Sequence, residues 1–199
     1  YKADLAATSP YTATPTTGSS TLTVTYTPTP QQVIVNYVDD DAAGAQVHTD
    51  QLTGKTADSH DYSQVRQAIQ GGLTALGYTV TTTDLPENNV ITFAALADGA
   101  PDQTYTVHLK HNLTAVTPDQ PQTPGDDALI PGTGTPWPNG VSHNDLNRTV
   151  TQTVQYVYAD GGKVSANQEQ SVSFQRAAIV DNVTGNVLGY LAPTDLAAY

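Results

Sequence analysis

The chain has 199 residues, 38% of them hydrophobic, and its nineteen acidic residues, nearly all Asp, outweigh seven basic ones for a formal charge of −12. That charge argues against nucleic acid and anionic membrane surfaces as partners, since both would repel it. No apolar run is long enough for a bilayer span and no signal peptide opens the chain, which therefore reads as an internal piece of something longer. The absence of Cys excludes disulfides, thiolate nucleophiles and Cys-based metal sites.

Ten of the first thirty residues are Thr, and Thr, Asp, Asn, Gly and Pro together favour strands and turns over helix. Residues 21–27 alternate strictly, with Leu22, Val24 and Tyr26 on one face and Thr on the other, the period of a half-buried strand. Pro28 and Pro30 interrupt it, because neither can donate a ladder hydrogen bond. A second strand starts near Val33, with Val35 and Tyr37 on its face. The acidic turn Asp39-Asp40-Asp41 with Gly44 ends it, and a return strand through Val47 and Leu52 completes a hairpin.

Asp61 with Gln64 three residues on predicts a helix start. Val65, Ala68, Ile69, Gly72, Leu73 and Leu76 follow helical spacing, and Gly77 suits the stop. Gly71 and Gly72 each weaken that interior by about 1 kcal/mol relative to Ala, a cost that close packing on a sheet would explain. Strands follow at residues 78–83 and 105–111. Strand, strand, helix, strand, strand predicts a mixed sheet with one helix across a face, an α+β layer arrangement of β-grasp type.

Residues 117–140 are rich in Pro and Gly without periodicity and read as a semi-rigid linker. Its large apolar residues, Leu129, Ile130 and Trp137, are expected to dock it onto a neighbouring domain. Beyond it, Val150, Val154, Tyr156 and Tyr158 share a strand face, and Asp160-Gly161-Gly162 makes a turn. Val172, Phe174, Ala178 and Val180 share another face before the turn at Asp181–Gly185.

Several runs resemble the repeats of the mucus-binding proteins (Mub) of lactobacilli: "YTVHLKHNLTAVTPDQP", "RTVTQTVQYVYADGGKV" and above all "SFQRAAIVDNVTGNVLG". "VIVNYVDDD…LTGKT" is similar to the opening of the related mucin-binding module. The resemblance implies an elongated α+β protein of two ubiquitin-like β-grasp units joined by the Pro/Gly-rich linker. It implies an extracellular, cell-surface adhesin whose parent is cell-wall-anchored, with mucin glycans, or alternatively immunoglobulins, as ligands. A passive spacer repeat in an adhesin stalk is the third reading.

The resemblance also implies boundaries. Residues 1–30 look like the closing segment of a preceding second-type domain, 31–116 like a first mucin-binding-like domain, 117–140 like the linker and 141–199 like the opening part of a second domain. Head and tail of neighbouring repeats would then complete one another head to tail.

No catalytic constellation appears: His48, His60, His108, His111 and His143 are scattered, no Ser sits in a G-x-S-x-G turn, and Glu87 and Glu169 make no glycosidase pair. Sugar recognition calls for an exposed aromatic to stack on, and Trp137, Tyr156, Tyr158 and Tyr190 are the candidates. Asp39, Asp40 and Asp41 form an oxygen-rich turn that is a candidate calcium site, although it lacks EF-hand spacing and also reads as a solvated acidic turn. Asn112, Asn147 and Asn182 each open an Asn-x-Thr triplet, read as turn chemistry.

Overall fold

The computed structural model describes residues 2–4, 25–97 and 99–198. The protein is mostly β-strand with few helices. Its described residues divide into two units, one holding those up to Ile69 together with Val80–Lys110, the other Gln70–Thr79 together with the chain from His111 onward. No helix among them is long and apolar enough to cross a membrane.

In the first unit, β1 (Lys2–Asp4) and β2 (Thr25–Thr27) pair antiparallel, Lys2 opposite Thr27. Of the strand expected at 21–27, residues 21–24 lie outside the described residues. β3 (Pro30–Asp39) turns through the acidic loop into β4 (Ala45–Lys55). β5 (Ser59–Asp61), α1 (Ser63–Ala75), β6 (Tyr78–Thr83), β7 (Val90–Thr92) and β8 (Gln103–His111) follow in the chain, with Gln70–Thr79 of α1 and β6 and the last residue of β8 counted in the second unit. The main sheet runs β4-β3-β8-β6, and β5 pairs with β7 in a small separate sheet.

β8 lies parallel to β3, Val33 beside Gln103 and Tyr37 beside Val107, which requires a long crossover between them. The alternation read from the sequence is the reason these strands form. Val33, Val35, Tyr37, Val107 and Leu109 are all fully buried, each worth about 1.5–3 kcal/mol relative to exposure. Tyr37 and Tyr62 keep their hydroxyls satisfied against each other at 3.3 Å inside this core. Burial first, and for Tyr62 the bond to Tyr37 as well, pushes both phenols above their ordinary value.

α1 begins as its cap predicts. Asp61 Oδ1 accepts the Ser63 N–H at 2.9 Å, and the Tyr62 carbonyl accepts the N–H of Arg66. It closes at Gly77, whose φ of +92° suits a residue without Cβ. Of the expected apolar stripe only Leu73 is buried, while Val65 and Leu76 are exposed. A Cβ on Gly71 or Gly72 would meet nothing within 4 Å, so close packing does not account for these glycines.

The second unit contains β9 (Leu113–Val116), β10 (Gly125–Leu129), β11 (Pro136–Trp137), α2 (His143–Leu146), β12 (Asn147–Val154), β13 (Gln168–Gln175), β14 (Ala177–Asp181) and β15 (Val187–Leu191), ending in a 3-10 turn at Pro193–Ala198. One sheet runs β15-β14-β9, and β10 pairs with β11. β14 is the central strand of its sheet, and all five of its residues are buried.

Its core joins Val116, Ile130, Trp137, Val141, Leu146, Ala178 and Val180. The segment read as a linker thus carries two short strands, and its Ile130 and Trp137 lie in this core while Leu129 stays 47% exposed. The docking of Ile130 and Trp137 follows the expectation from their apolar side chains, whereas the strands were not legible, since a two-residue strand and an irregular partner leave no periodicity to read.

A second difference concerns the face expected to hold Val172, Phe174, Ala178 and Val180. Arg176 falls between two strands, and its N–H bonds the Leu146 carbonyl instead of a ladder partner. Ala178 and Val180 therefore enter the core sheet, whereas Val172 and Phe174 stay on the β12–β13 hairpin at 51% and 58% exposure.

Candidate functional site

The second unit has an open cavity of about 410 Å³ where α2 meets the start of the β12–β13 hairpin. Asn144, Asp145, Arg148, Phe174, Gln175 and Arg176 line it. Its geometry starts with Ser142, ahead of the short helix, whose backbone N–H and hydroxyl donate to Asp145 Oδ2 at 3.1 and 2.5 Å. Those two bonds, the hydroxyl's first, hold the Asp145 carboxyl below the usual carboxylate range, and Arg176 adds a smaller pull.

Arg176 is held on two sides. Its Nε donates to the Asp145 carbonyl at 2.8 Å, and its guanidinium carbon sits 3.5 Å from the centre of the Tyr190 ring, a cation–π stack. Tyr190 in turn donates its hydroxyl to the Gly140 carbonyl at 3.2 Å. Gly140 must be glycine here: its φ is +99°, and a Cβ would come within 2.4 Å of the Tyr190 oxygen.

Arg148 and Phe174 face each other across the hairpin as register partners. The result is an exposed ring beside two cationic groups and two side-chain amides, a set that can stack on an apolar sugar face and hydrogen-bond its hydroxyls.

The structure does not gather the four predicted aromatic residues. Trp137 is 5% exposed and belongs to the core, so it offers no ring face to a ligand. Tyr190 braces Arg176 from behind. Tyr156 and Tyr158 are exposed near the hairpin loop, at the end of the hairpin away from Arg148. That loop is built by the Tyr158 N–H to Gly162 carbonyl bond and by Asp160, which accepts the Gly162 N–H.

Sequence reading passed over Asn144 and met Arg148 and Arg176 only within motifs. One signal was available: the chain has just three arginines, and two of them line this cavity.

In the first unit the acidic turn reads as a local cap. Asp39 is buried, and its Oδ1 accepts the N–H groups of Asp41 and Ala42 at 2.9 and 3.2 Å. Asp40 accepts from His108 Nδ1 at 2.8 Å. Two of the three carboxylates, those of Asp39 and Asp40, thus have local partners here.

The Asp181–Gly185 turn, the core of the motif that carried the resemblance, is tied by a buried pair. His111 Nδ1 donates to Asp181 Oδ2 at 2.7 Å, with side-chain exposures of 10% and 9%. Asp181 Oδ1 accepts from the N–H groups of Val183 and Thr184. Burial pushes the Asp181 carboxyl up, but the bonds from His111, Thr184 and Val183 outweigh it and hold it below the ordinary value. Asn112 and Asn147 use their amides on the Tyr78 and Pro118 carbonyls, so two of the three Asn-x-Thr asparagines tie loops together.

The family described as Mucin binding domain matches residues 31–111, and the one described as Muc B2-like domain matches residues 141–195. Among solved structures, the chain is similar to the type 2 repeat of the mucus binding protein MUB from Lactobacillus reuteri, with 28% identity, 79% of this chain and 72% of that one covered, and a TM-score of 0.46. It is also similar in fold to the crystal structure of Mub-RV, with 24% identity, 80% of this chain and 70% of that one covered, and a TM-score of 0.51. Comparison with curated proteins finds no match.

Proposed function

We propose, from the premise that this chain belongs to the mucus-binding protein repeats, that it is a non-enzymatic adhesive module of a bacterial surface protein and that its ligand is mucin glycan. The observation that carries this reading is the succession of two matches on one chain, a mucin-binding type at 31–111 followed by a Muc B2-like type at 141–195. We read the fold of each as a β-grasp. For residues 31–111 this is supported by the sheet order β4-β3-β8-β6, the parallel β3–β8 pair and the helix α1. The parent protein is read as extracellular and anchored to the cell wall.

The cavity at α2 is the proposed glycan contact. Phe174 supplies a stacking face, and Arg148, Arg176, Asn144 and Gln175 supply donors. One such shallow contact binds weakly, and repetition along an adhesin raises avidity without any new contact.

The test is binding of the purified chain to immobilised mucin before and after enzymatic removal of its O-glycans. Signal should fall on deglycosylation, and Phe174→Ser or Arg148→Gln should lower it at least about fivefold, the loss of roughly 1 kcal/mol of contact. Tyr158→Ala, at the far end of the hairpin, should leave it unchanged. Binding that survives deglycosylation, or binding to purified immunoglobulin instead, overturns the glycan reading. Binding to neither at millimolar chain identifies a spacer repeat.

A further inference from the structure

The β12–β13 hairpin is exposed on both faces: every residue of β13 and seven of the eight in β12. The two faces are built differently. On one, hydroxyls bond each other across the strands, Thr149 with Ser173 at 3.1 Å and Thr151 with Ser171 at 2.8 Å, so that face is satisfied within the protein. The other presents four register pairs in order: Arg148 with Phe174, Val150 with Val172, Gln152 with Gln170, and Val154 with Gln168. Side chains alternate along a strand, so these eight share one side of the hairpin.

The first of these pairs belongs to the cavity at α2. The last two line a second open cavity, of about 440 Å³, to which Glu169 also contributes. Val150 and Val172, 49% and 51% exposed, join one to the other. The result is a continuous band that opens on a cation and an aromatic ring, passes over an aliphatic pair and reaches an amide pair. Gln168 accepts the Tyr156 hydroxyl at 3.4 Å. The amides of Gln152 and Gln170 have no protein partner among the described residues, and each offers both donors and an acceptor.

The band is narrow. A standard protein interface engages about 20–30 residues a side, and this face has eight, two abreast. It is also neutral beyond Arg148: Val150–Val154 and Gln170–Val172 hold no charge in a chain with nineteen acidic residues. A charged partner finds no complement there. A linear chain of sugars does fit, since each ring has an apolar C–H face and a rim of hydroxyls that donate and accept.

Resting on the reading of the cavity at α2 as the glycan contact, we propose that the second cavity is a further subsite for the same ligand. The module then binds an oligosaccharide laid along the hairpin from Phe174 to Gln168, not a single terminal sugar. Phe174 stacks on the first ring, Val150 and Val172 cover the C–H faces of the next, and Gln152 and Gln170 bond the hydroxyls of those beyond.

The probe is O-glycan released from mucin and fractionated by size, titrated into the whole chain and followed by NMR shifts. Affinity should rise at least about tenfold from disaccharide to hexasaccharide. The double variant Gln152→Ala/Gln170→Ala should lower hexasaccharide affinity at least about fivefold and leave the disaccharide unchanged, whereas Phe174→Ser should weaken both. Both glutamines are exposed, so the fold should hold, and unchanged Trp137 fluorescence verifies it. Equal affinity for short and long fractions, with Phe174→Ser still weakening them, overturns the second subsite and leaves the first contact standing. A gain with length that ignores the double variant overturns it too. Binding of no fraction removes the glycan reading and this proposal together, and a double variant that weakens binding to deglycosylated mucin instead makes the face a protein contact.

Discussion

Removing the Asp181 carboxylate perturbs the second unit where its fold is most tightly tied. In Asp181→Ala the His111 ring loses an acceptor at 2.7 Å and the N–H groups of Val183 and Thr184 lose theirs at 2.9 and 3.1 Å. A hydrogen bond involving a charged group contributes about 1.5–3 kcal/mol and each backbone bond about 1 kcal/mol. The expected loss is therefore about 3–5 kcal/mol, the range for breaking a buried pair by deleting one partner.

Trp137 is the only tryptophan and sits in the same unit's core, so its fluorescence in a urea titration reads this unit directly. The pH dependence follows from the depressed carboxyl. A group whose folded pKa lies below its unfolded value contributes stability that is fully present above about pH 4 and disappears as pH falls through the folded pKa. The gap between wild type and Asp181→Ala should thus be largest near neutrality and shrink in acid. A difference under about 0.5 kcal/mol at pH 7, within the range of an ordinary surface substitution, would refute the reasoning. A gap that stays constant into strong acid would do the same.

Two further predictions concern glycines. Gly71→Ala and Gly72→Ala should each raise stability by about 1 kcal/mol, since an added methyl meets open space and helix propensity improves; a loss in thermal unfolding would mean a hidden packing role. Gly77→Ala should lower it by more than about 2 kcal/mol, because the positive φ strains an L residue and the new Cβ would lie 2.7 Å from the Asn182 carbonyl carbon. Gly44→Ala is its control, as φ there is +77° with nothing in reach, so only the strain of about 1–2 kcal/mol should appear.

The first unit was legible in the sequence because its strands are long and have one buried face. Val33, Val35 and Tyr37 announced β3, Val107 and Leu109 announced β8, and burial follows that alternation residue by residue. Asp61 and Gly77 marked the helix ends for the same reason, since cap chemistry is local. The stripe between them was less informative. Only Leu73 of six periodic residues is buried, because how much of a helix face is covered depends on what packs over it, which spacing does not encode.

The candidate site was hidden for a different reason. Its cavity depends on β13 ending at Gln175 and β14 starting at Ala177, a break that continuous alternation from Val172 to Val180 conceals. Once Arg176 leaves the ladder, its N–H goes to Leu146 and its guanidinium turns onto Tyr190. That one residue thus fixes both the floor of the cavity and the division between a buried sheet and an exposed hairpin. Trp137 makes the converse case. Aromatic type alone suggested a sugar platform, yet a lone tryptophan in a stretch poor in other apolar residues is the group best able to anchor that stretch, and it was drawn into the core. Residue type proposes chemistry, but exposure decides whether a ligand can reach it, and exposure here is set by where the strands stop.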